Sequence, residues 1–162
     1  MTDLKATPHV WAFTEHEHRE LRRGIDRIHD VGCGLHGWLT AEASAEVLAI
    51  LDWFDQVLDP HLAWEDAWLY PEIDARAGTP WATRSARFDH QQVRETAAHL
   101  REDRLALEGP DANARLPELR CRLFSLEALL RAHIEREERF LIPLLAEDFP
   151  ARETAPIDRS RP

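Results

Sequence analysis

Apolar residues recur at spacings of three and four along four long segments of this chain, the pattern of amphipathic helices with one buried face. The segments run from about Thr7 to Val31, Ala41 to Ala77, Thr79 to Leu107, and Ala112 or Pro117 to Glu147. No alternating pattern of strands competes with them. The sequence therefore predicts an all-α protein built from four long helices.

Prolines and glycines mark the predicted helix ends. Thr7-Pro8 and Thr79-Pro80 each place a capping residue before a proline, which is a typical helix start. Three glycines between residues 32 and 37 are expected to break the first helix, and Gly109-Pro110 to end the third.

Three further prolines fall inside the helical segments, namely Pro60, Pro71 and Pro143. A proline within a helix removes one backbone hydrogen bond and clashes with a preceding carbonyl group. We therefore expect the second and fourth helices to bend near these prolines.

The inward faces of three helices combine large apolar side chains with a few histidines and glutamates. These faces are predicted to read Trp11, His18, Leu21, Ile25 and Ile28 on the first helix, Val47, Leu51, Phe54, Leu58, His61, Glu65 and Trp68 on the second, and Leu119, Leu123, Leu126, Leu130, His133, Glu137, Phe140 and Leu144 on the fourth.

The chain repeats itself at an offset of 72 positions. The repeat relates His18 to His90, His61 to His133, Glu65 to Glu137 and Pro71 to Pro143. Apolar positions of the second helix fall on apolar positions of the fourth at the same offset. An internal repeat of this kind indicates two copies of one structural unit. We therefore predict an antiparallel up-down-up-down four-helix bundle made of two repeated helical hairpins.

Composition and charge exclude several classes of protein. The formal net charge is −10 and no long basic run occurs, so nucleic acid is not an expected partner. No apolar stretch approaches a membrane span, no secretory pattern opens the chain, and two cysteines do not form a disulfide framework. We expect a cytoplasmic protein with free thiols, in which residues 1–149 form the bundle and residues 150–162 a disordered polar tail. The oligomeric state stays open.

The repeated histidines and glutamates are the candidate chemistry. His61 and Glu65, like His133 and Glu137, are four residues apart and so share one helix face. A single histidine on an apolar face is more often a core residue than a ligand. Two buried carboxylates beside four imidazoles, however, require a counter-charge. A metal centre supplies that charge.

The types of ligand narrow the choice of metal. A set of imidazoles and carboxylates without thiolate disfavours a closed structural zinc site. Carboxylates between imidazole-rich positions suit a di-iron or di-manganese centre in a bundle core. Iron is favoured because imidazole is so large a part of the set, and manganese and zinc stay open as lesser alternatives.

The motifs that carry this chemistry resemble those of the hemerythrin-like, or HHE cation-binding, family. They are Glu-His-Arg-Glu-Leu around His18, His-Leu-Ala-Trp-Glu-Asp followed by Leu-Tyr-Pro, Asp-His at His90, and His-Ile-Glu-Arg-Glu-Glu followed by Leu-Ile-Pro, and the resemblance spans about residues 9 to 147. It implies a non-haem di-iron site bridged by Glu65 and Glu137. By the same resemblance, His18 and His61 would hold one iron, and His90 and His133 the other.

One departure from the family concerns the third helix. Hemerythrins proper carry two histidines one turn apart there, whereas His90 is flanked at that spacing by Ala86 and Arg94. Simple reversible O2 carriage is therefore less expected than reactivity with peroxide or O2, or than metal handling. Three functions stay open: a binding protein or sensor, a di-iron enzyme that disproportionates peroxide or oxidises a small molecule, and iron storage or homeostasis without turnover.

Other polar residues receive lesser roles. His16 should face away from the site, and His9, His29, His36 and His99 are interpreted as surface or supporting residues. Asp66 and Glu138 also repeat, but we expect them to point outward, with orientation of a ligand histidine as the less favoured role. Tyr70 has no tyrosine as its repeat mate and is a candidate hydrogen-bond donor near the site.

Overall fold

The computed structural model describes residues 8–37 and 39–145, and every regular element in that part of the chain is helical. The first helix is α1, Pro8–Gly34, which ends in a 3₁₀ turn, Leu35–Gly37. The second long helical segment, like each of the other three called a rod below, is continuous along the chain but changes its turn type. It consists of α2 (Thr40–Trp53), π1 (Phe54–Leu58), α3 (Asp59–Trp64), π2 (Glu65–Leu69) and α4 (Tyr70–Ala77). The third is α5, Arg84–Ala106, and the fourth is α6, Ala112–Arg136, continued by π3, Glu137–Leu141, and a 3₁₀ turn, Ile142–Leu145. The prediction of an all-α fold is confirmed.

The helices pack side by side around a large apolar core, and a second, smaller apolar cluster contains Leu69, Tyr70, Ile73, Ala86 and Leu141. Helix α1 contacts α2 and α6, and α5 contacts the same two helices. The predicted inner positions from Val47 to Leu58 and from Leu119 to Leu130 are buried, as are Leu21 and Ile25. The antiparallel up-down order stays a prediction, and the side chain of Trp11 and the tail from residue 150 lie outside the described residues. Among the described helices, none combines the length and apolar character needed to cross a membrane.

Two predicted helix ends are wrong. Helix α1 continues through Gly32, which packs against the Phe124 ring, and ends at Gly34. Helix α5 begins at Arg84 rather than near Thr79, because Asp74 holds the intervening turn. The carboxylate of Asp74 accepts hydrogen bonds from the backbone and hydroxyl groups of Thr83, both at 3.0 Å. Gly78, at φ 67°, ends the preceding helix in the left-handed conformation that favours glycine.

Pro60, Pro71 and Pro143 each follow a widened, π-helical turn, whereas Pro117 lies inside α6 without one. The turns π1, π2 and π3 end two residues before Pro60, Pro71 and Pro143 respectively. The carbonyl group with which a helical proline clashes, four residues earlier, lies inside the π turn in every case. Widening the turn accommodates the ring, so helical structure continues past each of these prolines, and the expected bends stay a prediction.

The π turns change which side chains face the core. A π turn holds about one residue more than an α turn, which moves the next inward position from the third to the fourth residue after the glutamate. Leu69 and Leu141 are accordingly buried, whereas Trp68 and Phe140 are 71% and 66% exposed. The prediction that Trp68 and Phe140 belong to the inward face is therefore wrong, because a regular helical period was assumed through residues 65–69 and 137–141.

Substitution of neighbours within π2 tests this change of register. We expect Leu69→Ala to lower the free energy of unfolding by about 2–5 kcal/mol, because it empties a buried site. The larger truncation Trp68→Ala should change it by only about 0.5 kcal/mol, since that side chain is solvated. Urea denaturation of both variants measures the difference. A greater loss for Trp68→Ala than for Leu69→Ala would mean that the helix keeps its regular period there.

Candidate metal centre

The six candidate ligands come from all four rods and meet in the interior. His18 lies on α1, His61 on α3, His90 on α5 and His133 on α6, while Glu65 and Glu137 are the first residues of π2 and π3. All six side chains are buried, and none belongs to a residue more than 6% exposed. The repeat at 72 positions thus places its four imidazoles and two carboxylates together.

Glu65 stands between the two pairs of histidines. Its Oε1 atom lies 2.8 Å from His61 Nε2 and 3.6 Å from His18 Nε2. Its Oε2 atom lies 3.3 Å from His90 Nε2 and 3.9 Å from His133 Nε2. Each oxygen therefore faces one pair of imidazoles, which is the arrangement of a carboxylate able to bridge two cations.

Glu137 is placed differently from its repeat mate. Its Oε2 atom lies 3.3 Å from His18 Nε2 and 3.5 Å from His133 Nε2, so a single oxygen faces one imidazole of each pair. Its Oε1 atom accepts a hydrogen bond from the Tyr70 hydroxyl group. The proposed role of Tyr70 as a hydrogen-bond donor near the site thus has a specific acceptor.

Ligand atoms of these residues form two groups compact enough to hold an ion each. One group contains Glu65, His90, His133 and Glu137, and the other contains His18, His61 and Glu65. Within each group, the candidate ligand atoms all lie within 4.8 Å of one another. Glu65 belongs to both groups, so two ions bound there would share it.

A carboxylate contacts the outer nitrogen of every one of the four histidines. The Nδ1 atoms of His18 and His90 lie 3.1 Å from Glu138 and 3.0 Å from Asp66. The expectation that Asp66 and Glu138 point outward is therefore wrong. Both are only partly exposed and turn back to a histidine of a neighbouring helix. The hydrogen bond between Glu138 and His18 favours the tautomer with its proton on Nδ1 and a free lone pair on Nε2, whereas the contact between Asp66 and His90 is close but not well aligned.

The other two supporting carboxylates are Glu17 and Asp89. Glu17 lies 3.2 Å from His61 Nδ1, and Asp89 lies 3.4 Å from His133 Nδ1. Sequence reasoning did not identify these two residues. The signal was nonetheless present, because Asp89 follows Glu17 at the same offset of 72 and each directly precedes a ligand histidine.

Arginines hold three of these supporting carboxylates in place. Arg22 donates to Glu138 at 2.6 Å, Arg94 donates to Asp66 at 3.3 Å, and Arg136 donates to Asp89. The predicted exclusion of Arg94 as a ligand agrees with this geometry, since its guanidinium group also binds Asp59 at 2.7 Å. The outer layer therefore balances the charge of the carboxylates and limits the rotation of the imidazoles.

The electrostatics of the buried cluster are dominated by its carboxylates. Burial by itself would lower the pKa of an imidazole, but the nearby Glu137 and Glu65 raise the pKa of His18 to about 9. Asp89 and the two glutamates likewise raise the pKa of His133 to about 10 against the effect of burial. Burial would raise the pKa of Glu65, yet the four surrounding imidazoles hold it well below its usual value.

These shifts set the charge state of the metal-free molecule. Glu65 is ionised at neutral pH, and His18 and His133 carry protons. Because their pKa values are raised above the ordinary value of 6.5, these two histidines stabilise the metal-free fold fully below that pH. Their contribution is lost as the pH rises through about 9 to 10. In the metal-free molecule, the positive charge of protonated His18 and His133 therefore offsets the negative charge of the buried carboxylates.

In the part of the chain that the structure describes, several buried polar atoms of the site lack well-aligned hydrogen-bond partners and are suited to binding a cation. His18 Nε2, both oxygens of Glu65 and Glu137 Oε2 are buried without a well-aligned hydrogen-bond partner among the described residues. Such groups are costly to bury unpaired. All four atoms point into the space between the imidazoles. The donor set, nitrogen and carboxylate oxygen, therefore fits a divalent or trivalent metal ion.

The remaining histidines lie away from this centre where they are described. His16 and His99 are exposed, as predicted, and His29 is exposed and bonded to Glu127 at 2.9 Å. The side chains of His9 and His36 lie outside the described residues. Cys33 and Cys121 are exposed, and neither takes part in a disulfide bond in the part of the chain that the structure describes.

The position of a fifth histidine on α5 is filled by other structure. Ala86, one turn before His90, is fully buried against Leu69, Tyr70, Ile73 and Leu141. One turn after His90, Arg94 supports Asp66 instead of facing the centre. Helix α5 thus supplies one imidazole.

Comparison with known proteins agrees with this geometry. The family model for the hemerythrin HHE cation-binding domain matches residues 9–146 and includes all six candidate ligands. No curated protein and no solved structure matches the chain significantly. Because the matched region is most of its length, this chain belongs to the hemerythrin HHE cation-binding domain family.

Proposed function

We propose that this protein is an antiparallel four-helix bundle that binds two non-haem iron ions and reacts with O2 or peroxide at that centre. His18, His61 and Glu65 would hold one ion, and His90, His133, Glu65 and Glu137 the other. The observation that carries the proposal is the pair of overlapping ligand groups that share the buried Glu65. Membership of a cation-binding family supports it.

Iron is the metal that the donor set favours. The centre offers imidazole nitrogen and carboxylate oxygen and includes no cysteine, since Cys33 and Cys121 are exposed. A structural zinc site would more often include thiolates and a single closed tetrahedron. A shared carboxylate between two imidazole pairs in a bundle core is instead typical of di-iron and di-manganese carboxylate proteins. The share of imidazole favours iron over manganese.

Reactivity, more than reversible carriage alone, is supported by the single imidazole on α5. A smaller ligand set leaves room at the metal for a small molecule. Bound iron would supply Lewis acidity and a redox couple there. The protein would contribute a dry surrounding, since Leu69, Ile73 and Leu141 pack beside the centre. Tyr70 adds a buried hydroxyl group at the same place.

Optical spectroscopy with an oxygen electrode tests this proposal and separates it from its alternatives. Iron-loaded protein should develop an oxo-bridge-type near-ultraviolet band with O2 and should consume added peroxide. A reversible oxygenated spectrum without peroxide consumption would indicate a carrier or sensor. Stable iron without either response would indicate storage, and a single tightly held zinc would contradict the di-iron assignment.

Removal of the shared carboxylate should release both ions. We expect Glu65→Gln to reduce bound iron from about two ions per chain to well below one, because a neutral amide is a poor bridge between cations. Elemental analysis of protein produced with iron measures this. His16→Ala is the control, since that exposed imidazole has no place in the centre. Unchanged iron in Glu65→Gln, or loss of iron in His16→Ala, would show that the ligands are assigned wrongly.

Removal of a supporting carboxylate should weaken metal binding without removing a ligand. We expect Asp89→Asn to lower metal affinity by about 10- to 100-fold, because the contact that orients His133 is weakened. Glu95→Gln, an exposed change on the same helix, is the control. Competition of each protein with a chelator for Co²⁺ gives the affinity. Equal affinities for the two variants would mean that Asp89 does not orient His133.

Metal binding should release protons. His18 and His133, with pKa values raised to about 9 and about 10, are protonated at neutral pH and must lose those protons to bind a cation. Apparent affinity should therefore rise with pH between about 6 and 9, by about tenfold per pH unit for each proton displaced. Calorimetric titration with Co²⁺ in buffers of different ionisation enthalpy counts the protons. Affinity independent of pH in this range would contradict the charge state described for the cluster.

A further inference from the structure

The two buried glutamates are related by the internal repeat, but their surroundings differ at one residue. Tyr70 donates its hydroxyl proton to Oε1 of Glu137. The repeat mate of Tyr70 is Ile142, which has no polar side-chain atom. Both oxygens of Glu65 therefore face imidazoles, whereas only Oε2 of Glu137 does. The pseudo-twofold symmetry of the cluster is broken at this hydroxyl group.

The hydroxyl group of Tyr70 is held where it is. The residue is fully buried, and its ring packs among Leu69, Ile73 and Leu141. One face of the ring stacks on His90, with 5.1 Å between the ring centroids, and the Arg87 guanidinium group lies 5.1 Å from the ring centroid. A buried phenol without a partner would be costly, so the hydroxyl group keeps an acceptor at this place.

Two acceptors compete for the one hydroxyl proton. Tyr70 Oη lies beside Glu137 Oε1 and also 2.9 Å from His90 Nε2. Asp66 lies 3.0 Å from His90 Nδ1 without a well-aligned hydrogen bond, and a proton on Nδ1 would leave the lone pair on Nε2. A cation bound in this group of ligands would take that lone pair. Only Glu137 Oε1 would then remain to accept the proton of Tyr70.

We propose that Tyr70 is a positioning residue that makes the two shared carboxylates unequal. Glu65 would offer one oxygen to each of two ions, and Glu137 would offer them Oε2 while Tyr70 holds Oε1. This inference rests on the proposed function, because it requires that ions bind at the centre. It differs from the equal bridging by Glu65 and Glu137 that the family resemblance implies.

Crystals of the full chain loaded with Fe²⁺ under anaerobic conditions test the inference directly. Anomalous scattering counts the ions, and the refined oxygens of Glu65, Glu137 and Tyr70 show which atoms bind them. We expect two ions, with Tyr70 Oη bonded to Glu137 Oε1 and not to iron. In Tyr70→Phe, Glu137 Oε1 should move to within about 2.2 Å of an ion, the ordinary length of a metal–carboxylate bond.

A matched variant and a solution measurement separate the outcomes. Ile142→Val trims the repeat-related position without removing a polar atom, and it should leave both glutamates bound as in the wild type. Wild-type crystals with both oxygens of Glu137 on iron would overturn the inference alone. An intense visible phenolate-to-iron band after oxidation, absent in Tyr70→Phe, would also overturn it by making Tyr70 a ligand.

Absence of iron from the wild-type protein would overturn the proposed function together with the inference. If Tyr70→Phe fails to fold, as judged by circular dichroism, the wild-type crystals still decide. Two ions with the hydroxyl group of Tyr70 on Glu137 Oε1 would sustain both conclusions.

Discussion

The structure depends on a carboxylate buried at the meeting point of four helices. Glu65 is fully inaccessible, and neither of its oxygens has a well-aligned hydrogen-bond partner among the described residues. An ionised carboxylate in such a place is tolerated only when positive charge surrounds it. In the metal-free molecule the protons on His18 and His133 supply that charge, and bound cations would supply it more fully. The helices must therefore approach at one level, because the six side chains have to meet there.

Each copy of the internal repeat supplies two histidines and one glutamate to the centre, and the repeat also includes the carboxylates that contact those histidines. The supporting carboxylates follow the same offset, and each repeat supports one histidine of its own and one of the other. Glu17 and His61 belong to the first repeat, whereas Glu138 of the second supports His18 of the first. The two hairpins are thus coupled through the centre. Partly exposed arginines, namely Arg22, Arg94 and Arg136, donate hydrogen bonds to Glu138, Asp66 and Asp89 and so extend this hydrogen-bond network to the protein surface.

The sequence alone predicts correctly the features that depend on regular helical periodicity and on the internal repeat. The leucine-rich faces from Val47 to Leu58 and from Leu119 to Leu130 are buried as predicted, because a regular α-helix holds one face through those residues. The six candidate ligands meet because the repeat and the i, i+4 spacing both constrain them.

The wrong predictions concern residues at local departures from a regular helix. Trp68 and Phe140 were misplaced because a π turn changes the helical period locally, although Pro71 and Pro143 marked the position. The start of α5 was misplaced because the side chain of Asp74, in the preceding helix, bonds to Thr83 in the turn before α5. Orientation of a ligand histidine was only the less favoured role of Asp66 and Glu138, because the sequence does not show that each faces a histidine on another helix.

Mössbauer spectroscopy of iron-loaded protein after oxidation tests the central claim most directly. Two ferric ions that share Glu65 should be spin-coupled, and the spectrum should show a diamagnetic ground state at low temperature for about two irons per chain. A paramagnetic spectrum of isolated ferric iron, or a stoichiometry of one, would contradict a pair of ions held across one buried carboxylate.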